Sequence, residues 1–243
     1  MNTESLPPKS KFIDKLDLLE SISVMLEDQK KIFKQIYQKR YIIKKIINLI
    51  YKTLAKTDNG RIIYVGAGTS GRIAVQDGSE LKPTFNWPIK RINYIIAGGF
   101  KALTNAQEGA EDDLKQAKLD VDKLKINKND VILAISASGY TPFTLEVVKH
   151  ASKAKALTVA IVNNKDTDLE KRANICLCIN TGYEILAGST RLKAGTSQKI
   201  CLNIISTLLM TKFGKVKNGL MIDLKPTNKK LQNRVKLIES MIS

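Results

Sequence analysis

A chain of 243 residues, 43% of them hydrophobic, is long enough to bury a sizeable core, and its formal charge of +17 raises the question of a polyanionic partner. The basic residues are mostly Lys, scattered along the chain with few aromatics between them and little Arg, so a solvated surface is expected and no nucleic-acid partner. No apolar run is long enough to span a bilayer, and the N-terminal MNTESLPPKSKFIDK lacks the apolar core of a secretion signal, so a cytoplasmic protein without a membrane partner is expected.

Residues 9–56 read as two helices, with Phe12, Leu16, Leu19 and Ile22 spaced as one apolar face of the first. The run 62–65 then reads as a strand buried on both faces. It is followed by a helix over 71–81 that Pro83 should stop, a strand over 92–96, a helix over 101–119 and a strand over 131–135. A helix over 142–155, a strand over 157–162, a short helix around Leu169 and a strand over 175–179 complete five strands, joined as parallel crossovers require. The polar loop after Asn180 is rich in Gly, Ser and Thr, a helix is expected over 196–213, and a last helix over 227–243.

Two turns stand out. Gly66, Gly68 and Gly71 allow a tight turn from the first strand into a helix whose free amides attract an anion, and Thr69 and Ser70 add hydroxyls there. The spacing also fits a dinucleotide fingerprint, but the second strand runs into Ala97-Gly98-Gly99 where that reading wants an acidic residue for the ribose. The strand at 131–135 leads into Ser136-Ala137-Ser138-Gly139-Tyr140-Thr141-Pro142, a second hydroxyl-rich turn with Pro142 suited to a first helical position. Two such turns at the carboxyl ends of neighbouring parallel strands make a phosphate site.

Carboxylates near the turns are the candidates for acid–base work. Glu80 lies at the end of the first turn's helix, and Glu108 and Glu111 are spaced to share a face of the expected helix over 101–119. His150, the single histidine, sits among lysines on a helix and reads as a solvated side chain. Cys176, Cys178 and Cys201 lie in apolar segments and form a poor metal set, so no metal is expected.

Thr3-Glu4, the helix containing Ile13-Asp14 and Asp28, and then the segments GAGTSGR, DGSELKPTF, IAGG, EGAEDD, SASGYTPF, GSTRLKAGTSQK and GLMIDLKPTNKKL, in that order, resemble the N-acetylmuramic acid 6-phosphate etherases of the sugar isomerase (SIS) domain superfamily, and the likeness covers nearly the whole chain. It departs at DGSE, where the family has DASE, and at Tyr140, where the family has Arg. The resemblance implies an α/β fold, a three-layer α-β-α sandwich around a five-stranded parallel sheet. N-terminal helices would occupy 1–56, the SIS domain 57–226, and a C-terminal helix, shortened relative to the family, 227–243. It implies a homodimer with active sites at the subunit interface, and cleavage of the D-lactyl ether of a sugar phosphate by elimination and hydration without a cofactor.

Carried over by position, Glu80 and Glu111 match the family's catalytic glutamates, with Glu80 favoured as base and Glu111 as acid, or the reverse. Thr69, Ser70, Ser136, Ser138, Gly139 and Thr141 match its phosphate-binding turns, and Lys193 is a possible substrate contact. Two rivals keep the turns: a non-catalytic sugar-phosphate sensor and a sugar-phosphate isomerase. Neither calls for the carboxylates of DGSE and EGAED together, which favours the lyase.

Overall fold

A computed structural model describes residues 2–223. Five strands, β1 (Ile62–Gly66), β2 (Ile92–Ile96), β3 (Val131–Ser136), β4 (Leu157–Val162) and β5 (Ile175–Cys178), pair in parallel in the order β2-β1-β3-β4-β5. The side-chain period of two sorts the strands' apolar residues onto two cores. Ile62, Tyr64, Val131, Leu133, Val159 and Ile161 pack under the helices α1 (Leu18–Gln38), α2 (Arg40–Leu54), α3 (Gly68–Phe85) and α7 (Lys193–Lys212). Ile63, Val65, Ile132, Ala134, Ala160 and Val162 pack under α4 (Leu114–Leu124), α5 (Pro142–Lys153) and α6 (Asp168–Arg172). The expected three-layer sandwich is therefore present, and α2 belongs to its core through Ile43, Ile46, Ile47, Ile50 and Leu54 at helical spacing. A short hairpin, β6 (Val216–Lys217) with β7 (Leu220–Met221), follows α7; the helix expected over 227–243 lies outside the described residues.

Three local expectations are corrected. The helix α3 runs through Pro83 to Phe85: only the carbonyl of exposed Ser79 loses its donor, while Phe85 and Trp87 gain the core. It ends on Asn86 at φ 50°, where Asn86 N–H donates to Lys82 O (2.9 Å) and Trp87 N–H to Leu81 O (3.2 Å), the pair of bonds that closes a helix on a left-handed residue. The helix expected over 101–119 is two single 3-10 turns, Phe100–Leu103 and Ala110–Asp112, followed by α4. Gly109 at φ 68° breaks the helical path, and the Asp113 carboxylate accepts from Gln116 N–H (2.9 Å) to start α4 afresh. At the N-terminus, a reciprocal cap between Asp17 and Glu20 sets the start of α1, leaving Phe12 and Leu16 outside the helix. The face of α1 that is buried carries Asp28, Ile32 and Ile36, whereas Leu19 and Ile22 of the expected face are 73% and 46% exposed.

Under α3 and α7, Asp77 is buried and accepts from Tyr64 OH (2.9 Å) and Ser206 Oγ (3.1 Å). Burial raises its carboxyl pKa, against the lowering effect of those hydrogen bonds. The folded state thus holds this proton more tightly than the unfolded chain. Its stabilising contribution is complete below the unfolded value of about 4 and is lost as pH rises through the folded value. Asp77→Asn is expected to gain thermal midpoint relative to the native chain on going from pH 4 to pH 7, followed by circular dichroism. A midpoint difference constant with pH would remove Asp77 from the linkage.

Candidate active site

The strand order reverses direction between β1 and β3, and in open parallel sheets ligands bind outside the carboxyl ends of the strands at that switch. A cavity of about 310 Å³ lies there. It is lined by Ala67, Thr69 and Ser70 after β1, Ser136, Ala137, Ser138 and Thr141 after β3, and Glu4, Glu111, Gly188 and Thr190. A larger groove of about 600 Å³ between α1, α2 and α7 is walled by Phe33, Ile36, Ile43, Ile47, Ile200 and Ile204, far more apolar than a phosphate site needs.

The first wall is the N-terminus of α3. Its first backbone bond is Gly71 N–H to Ala67 O (3.1 Å), and no side chain caps it, so the amides of the first turn face the cavity's end of the helix. Gly68 has φ 52°, and a Cβ there would stand 3.2 Å from Glu111 Oε1, so glycine lets the carboxylate approach the turn. The Ser70 hydroxyl donates to Gln198 Oε1 (2.9 Å). Gln198 Nε2 donates to Asn163 Oδ1 (2.9 Å), and Asn163 Nδ2 donates to Ser197 Oγ (2.7 Å) and Ile179 O (3.0 Å). This buried relay ties the first turn to α7 and the ends of β4 and β5.

The second wall is a cluster of hydroxyls. Ser136 Oγ lies 2.9 Å from Thr141 Oγ1 and 3.3 Å from Ser138 Oγ, with Ser138 to Thr141 at 3.5 Å. Gly139 N–H donates to Ser136 Oγ (3.0 Å) and Tyr140 N–H to Ser138 Oγ (3.2 Å), which orients those oxygens. Gly139 itself does not line the cavity. It supplies φ 74° and passes so close to Thr167 that a Cβ would stand 2.5 Å from it.

The structure thus brings together Thr69, Ser70, Ser136, Ser138, Thr141 and Glu111. Glu111 and Glu108 sit on the irregular segment before α4, so the helical face expected to pair them does not exist. Glu80 is exposed and does not line the cavity; at a rise of about 1.5 Å per residue it stands roughly 15 Å along α3 from Ser70. Lys193, the possible substrate contact, is also outside the cavity. Its buried ammonium donates to Asp28 Oδ2 (2.7 Å) and Tyr183 O (2.6 Å), joining α1 to the start of α7. The first amides of α7, Lys193 N–H (2.9 Å) and Ala194 N–H (2.8 Å), donate to buried Glu184, whose pKa is raised by burial against these bonds. Sequence reasoning missed Glu4, Gly188 and Thr190 as cavity residues, and Gln198 and Asn163 behind it. Each reaches the turns across a long stretch of chain, beyond any local spacing rule.

Parallel layers with paired hydroxyl turns at the switch point define a SIS-type phosphosugar fold. Residues 114–212 match the SIS domain family, and residues 44–152 match the glucokinase regulatory protein N-terminal SIS domain. The chain belongs to the N-acetylmuramic acid 6-phosphate etherase family. It is 42% identical to the N-acetylmuramic acid 6-phosphate etherase of Mycoplasma mycoides subsp. mycoides SC, over 100% of this chain and 80% of that protein. It is 44% identical to the one of Oceanobacillus iheyensis, over 97% of this chain and 80% of that protein. A phosphoheptose isomerase structure from Francisella tularensis shares the fold, with a TM-score of 0.62 at 16% identity over 81% of this chain and 100% of that one.

Proposed function

We propose that this protein cleaves the D-lactyl ether at carbon 3 of N-acetylmuramic acid 6-phosphate, yielding N-acetylglucosamine 6-phosphate and D-lactate in cell-wall recycling. The observation that carries the reading is one cavity holding both hydroxyl turns and the Glu111 of the EGAED segment, in a chain 42% identical to an etherase along its full length. The phosphate binds to α3's first amides and the hydroxyls of Ser138 and Thr141, neutral donors that suit a dianion without a paired cation.

The open-chain aldehyde acidifies the carbon-2 proton. One carboxylate takes that proton, and a second carboxylic acid protonates the ether oxygen as the carbon 3–oxygen bond breaks and lactate leaves. Water then adds to carbon 3 of the unsaturated aldehyde, and carbon 2 regains a proton. Glu111 is the acid of this scheme and Glu80 the base. Because Glu80 is exposed and outside its own chain's cavity, the base comes from a second copy in a homodimer whose interface completes each site. The exposed apolar side chains of α1, Leu19, Leu26 and Phe33 among them, and the apolar groove beside α7 favour such an association.

Incubating the protein with N-acetylmuramic acid 6-phosphate and assaying D-lactate tests the reading. Stoichiometric lactate supports it. Tight sugar-phosphate binding without turnover would make the protein a sensor, and aldose–ketose conversion without lactate would make it an isomerase.

A further inference from the structure

The cavity has a third wall that neither turn supplies. Thr3 is fully buried: its N–H donates to Asn164 Oδ1 (3.3 Å), its hydroxyl accepts from Asn164 Nδ2 (3.0 Å), and its carbonyl accepts from Gly188 N–H (2.9 Å). The same Asn164 Nδ2 donates to Ala137 O (2.9 Å), inside the second hydroxyl turn. Asn2 Nδ2 adds a bond to Asn180 Oδ1 (3.1 Å). The 3-10 turn Asn2–Glu4 is thereby fastened to the carboxyl end of the sheet, although it lies far from that sheet in sequence.

What this anchorage delivers is Glu4. Its side chain lines the cavity with Ser70, Ser138 and Thr141, and a Cβ on Gly188 would stand 2.8 Å from Glu4 Oε2, so glycine leaves room for the carboxylate there. Among the lining residues, Glu4 and Glu111 are the ionisable side chains, and both are acids. A carboxylate repels a phosphate dianion and cannot help to hold it. A built-in carboxylate beside a phosphate site needs donors on the rest of the ligand, and a sugar chain presents them as hydroxyl and acetamido N–H groups.

We infer that Glu4 is a substrate-contacting carboxylate that reads the sugar, accepting hydrogen bonds from hydroxyl or amide donors of a ligand whose phosphate rests on the two turns. This rests on the sugar-phosphate reading of the cavity and adds a specificity residue to it. Charge-assisted hydrogen bonds of this kind correspond to about a 10- to 100-fold change in affinity.

Calorimetry on the full chain with N-acetylglucosamine 6-phosphate and with inorganic phosphate separates this role from a structural one. Glu4→Ala is expected to weaken the sugar phosphate by about 10- to 100-fold while inorganic phosphate binds as well or more tightly, because a repelling charge has gone. Glu4→Gln keeps an acceptor and should lose less. Gly188→Ala displaces the carboxylate without deleting it and should show the same selective loss. Gly182→Ala, at φ 73° against 74° for Gly188 but with nothing within 4 Å of its Cβ, reports backbone strain alone and should not. Equal loss of both ligands in Glu4→Ala, or sugar-phosphate affinity left unchanged, would overturn the inference. Native protein that binds inorganic phosphate but no sugar phosphate would overturn the functional reading beneath it instead.

Discussion

Glu111→Ala is expected to lower D-lactate release by about 10²- to 10⁴-fold, the usual contribution of one positioned acid or base, while leaving the fold intact. The side chain is exposed on a single 3-10 turn and makes no hydrogen bond among the described residues, so stability should move by no more than about 0.5 kcal/mol. The step affected distinguishes its role. If Glu111 protonates the leaving oxygen, the variant still exchanges the carbon-2 proton with heavy water, because that proton can leave before the carbon–oxygen bond breaks. Glu80→Ala should then show neither exchange nor lactate. Proton NMR follows exchange and a coupled assay follows lactate in the same sample. Exchange kept in Glu80→Ala and lost in Glu111→Ala would reverse the assignment, and full activity in either variant would remove that glutamate from the reaction.

The sheet was legible because strands buried on both faces are written as short apolar runs, and the pattern at 62–66, 92–96 and 157–162 is read almost residue for residue. The two turns were legible for a related reason: Gly66, Gly68 and Gly71, and the hydroxyls from Ser136 to Thr141, are compositions that only close backbone approach or anion binding requires. The region 97–113 was not, since Lys, Ala, Gln and Leu carry helical propensity that a positive φ at Gly109 and a cap at Asp113 override. The third wall was illegible because Thr3 finds Asn164 at a separation of 161 residues, and nothing local in MNTES announces that partner. Lys193 shows the same limit. The family resemblance of its segment suggested a substrate contact, whereas Asp28 on α1 claims its ammonium. The roles proposed for Glu80 and Glu111 came from the resemblance of their segments to a family, since periodicity alone describes two exposed acids.

Mixing inactive Glu80→Ala and Glu111→Ala chains is expected to restore about a quarter of native activity, the sharpest consequence of a site shared between two copies. Co-expressed chains would assort at random, so about half of the dimers would be mixed, and in each mixed dimer one of two sites would combine an intact Glu111 with Glu80 of the partner subunit. The other site would lack both. If Glu80 served its own chain, every chain in the mixture would still carry a lesion in its own site, and no activity would return. The separation of roughly 15 Å along α3 between Glu80 and the first turn argues for the shared arrangement, because a glutamate side chain cannot cross it while the helix stays intact. Distinct affinity tags isolate the mixed dimer, light scattering gives its mass, and lactate release gives its activity. A monomeric mass at micromolar concentration, or purified mixed dimers as inactive as their parents, would refute the shared site.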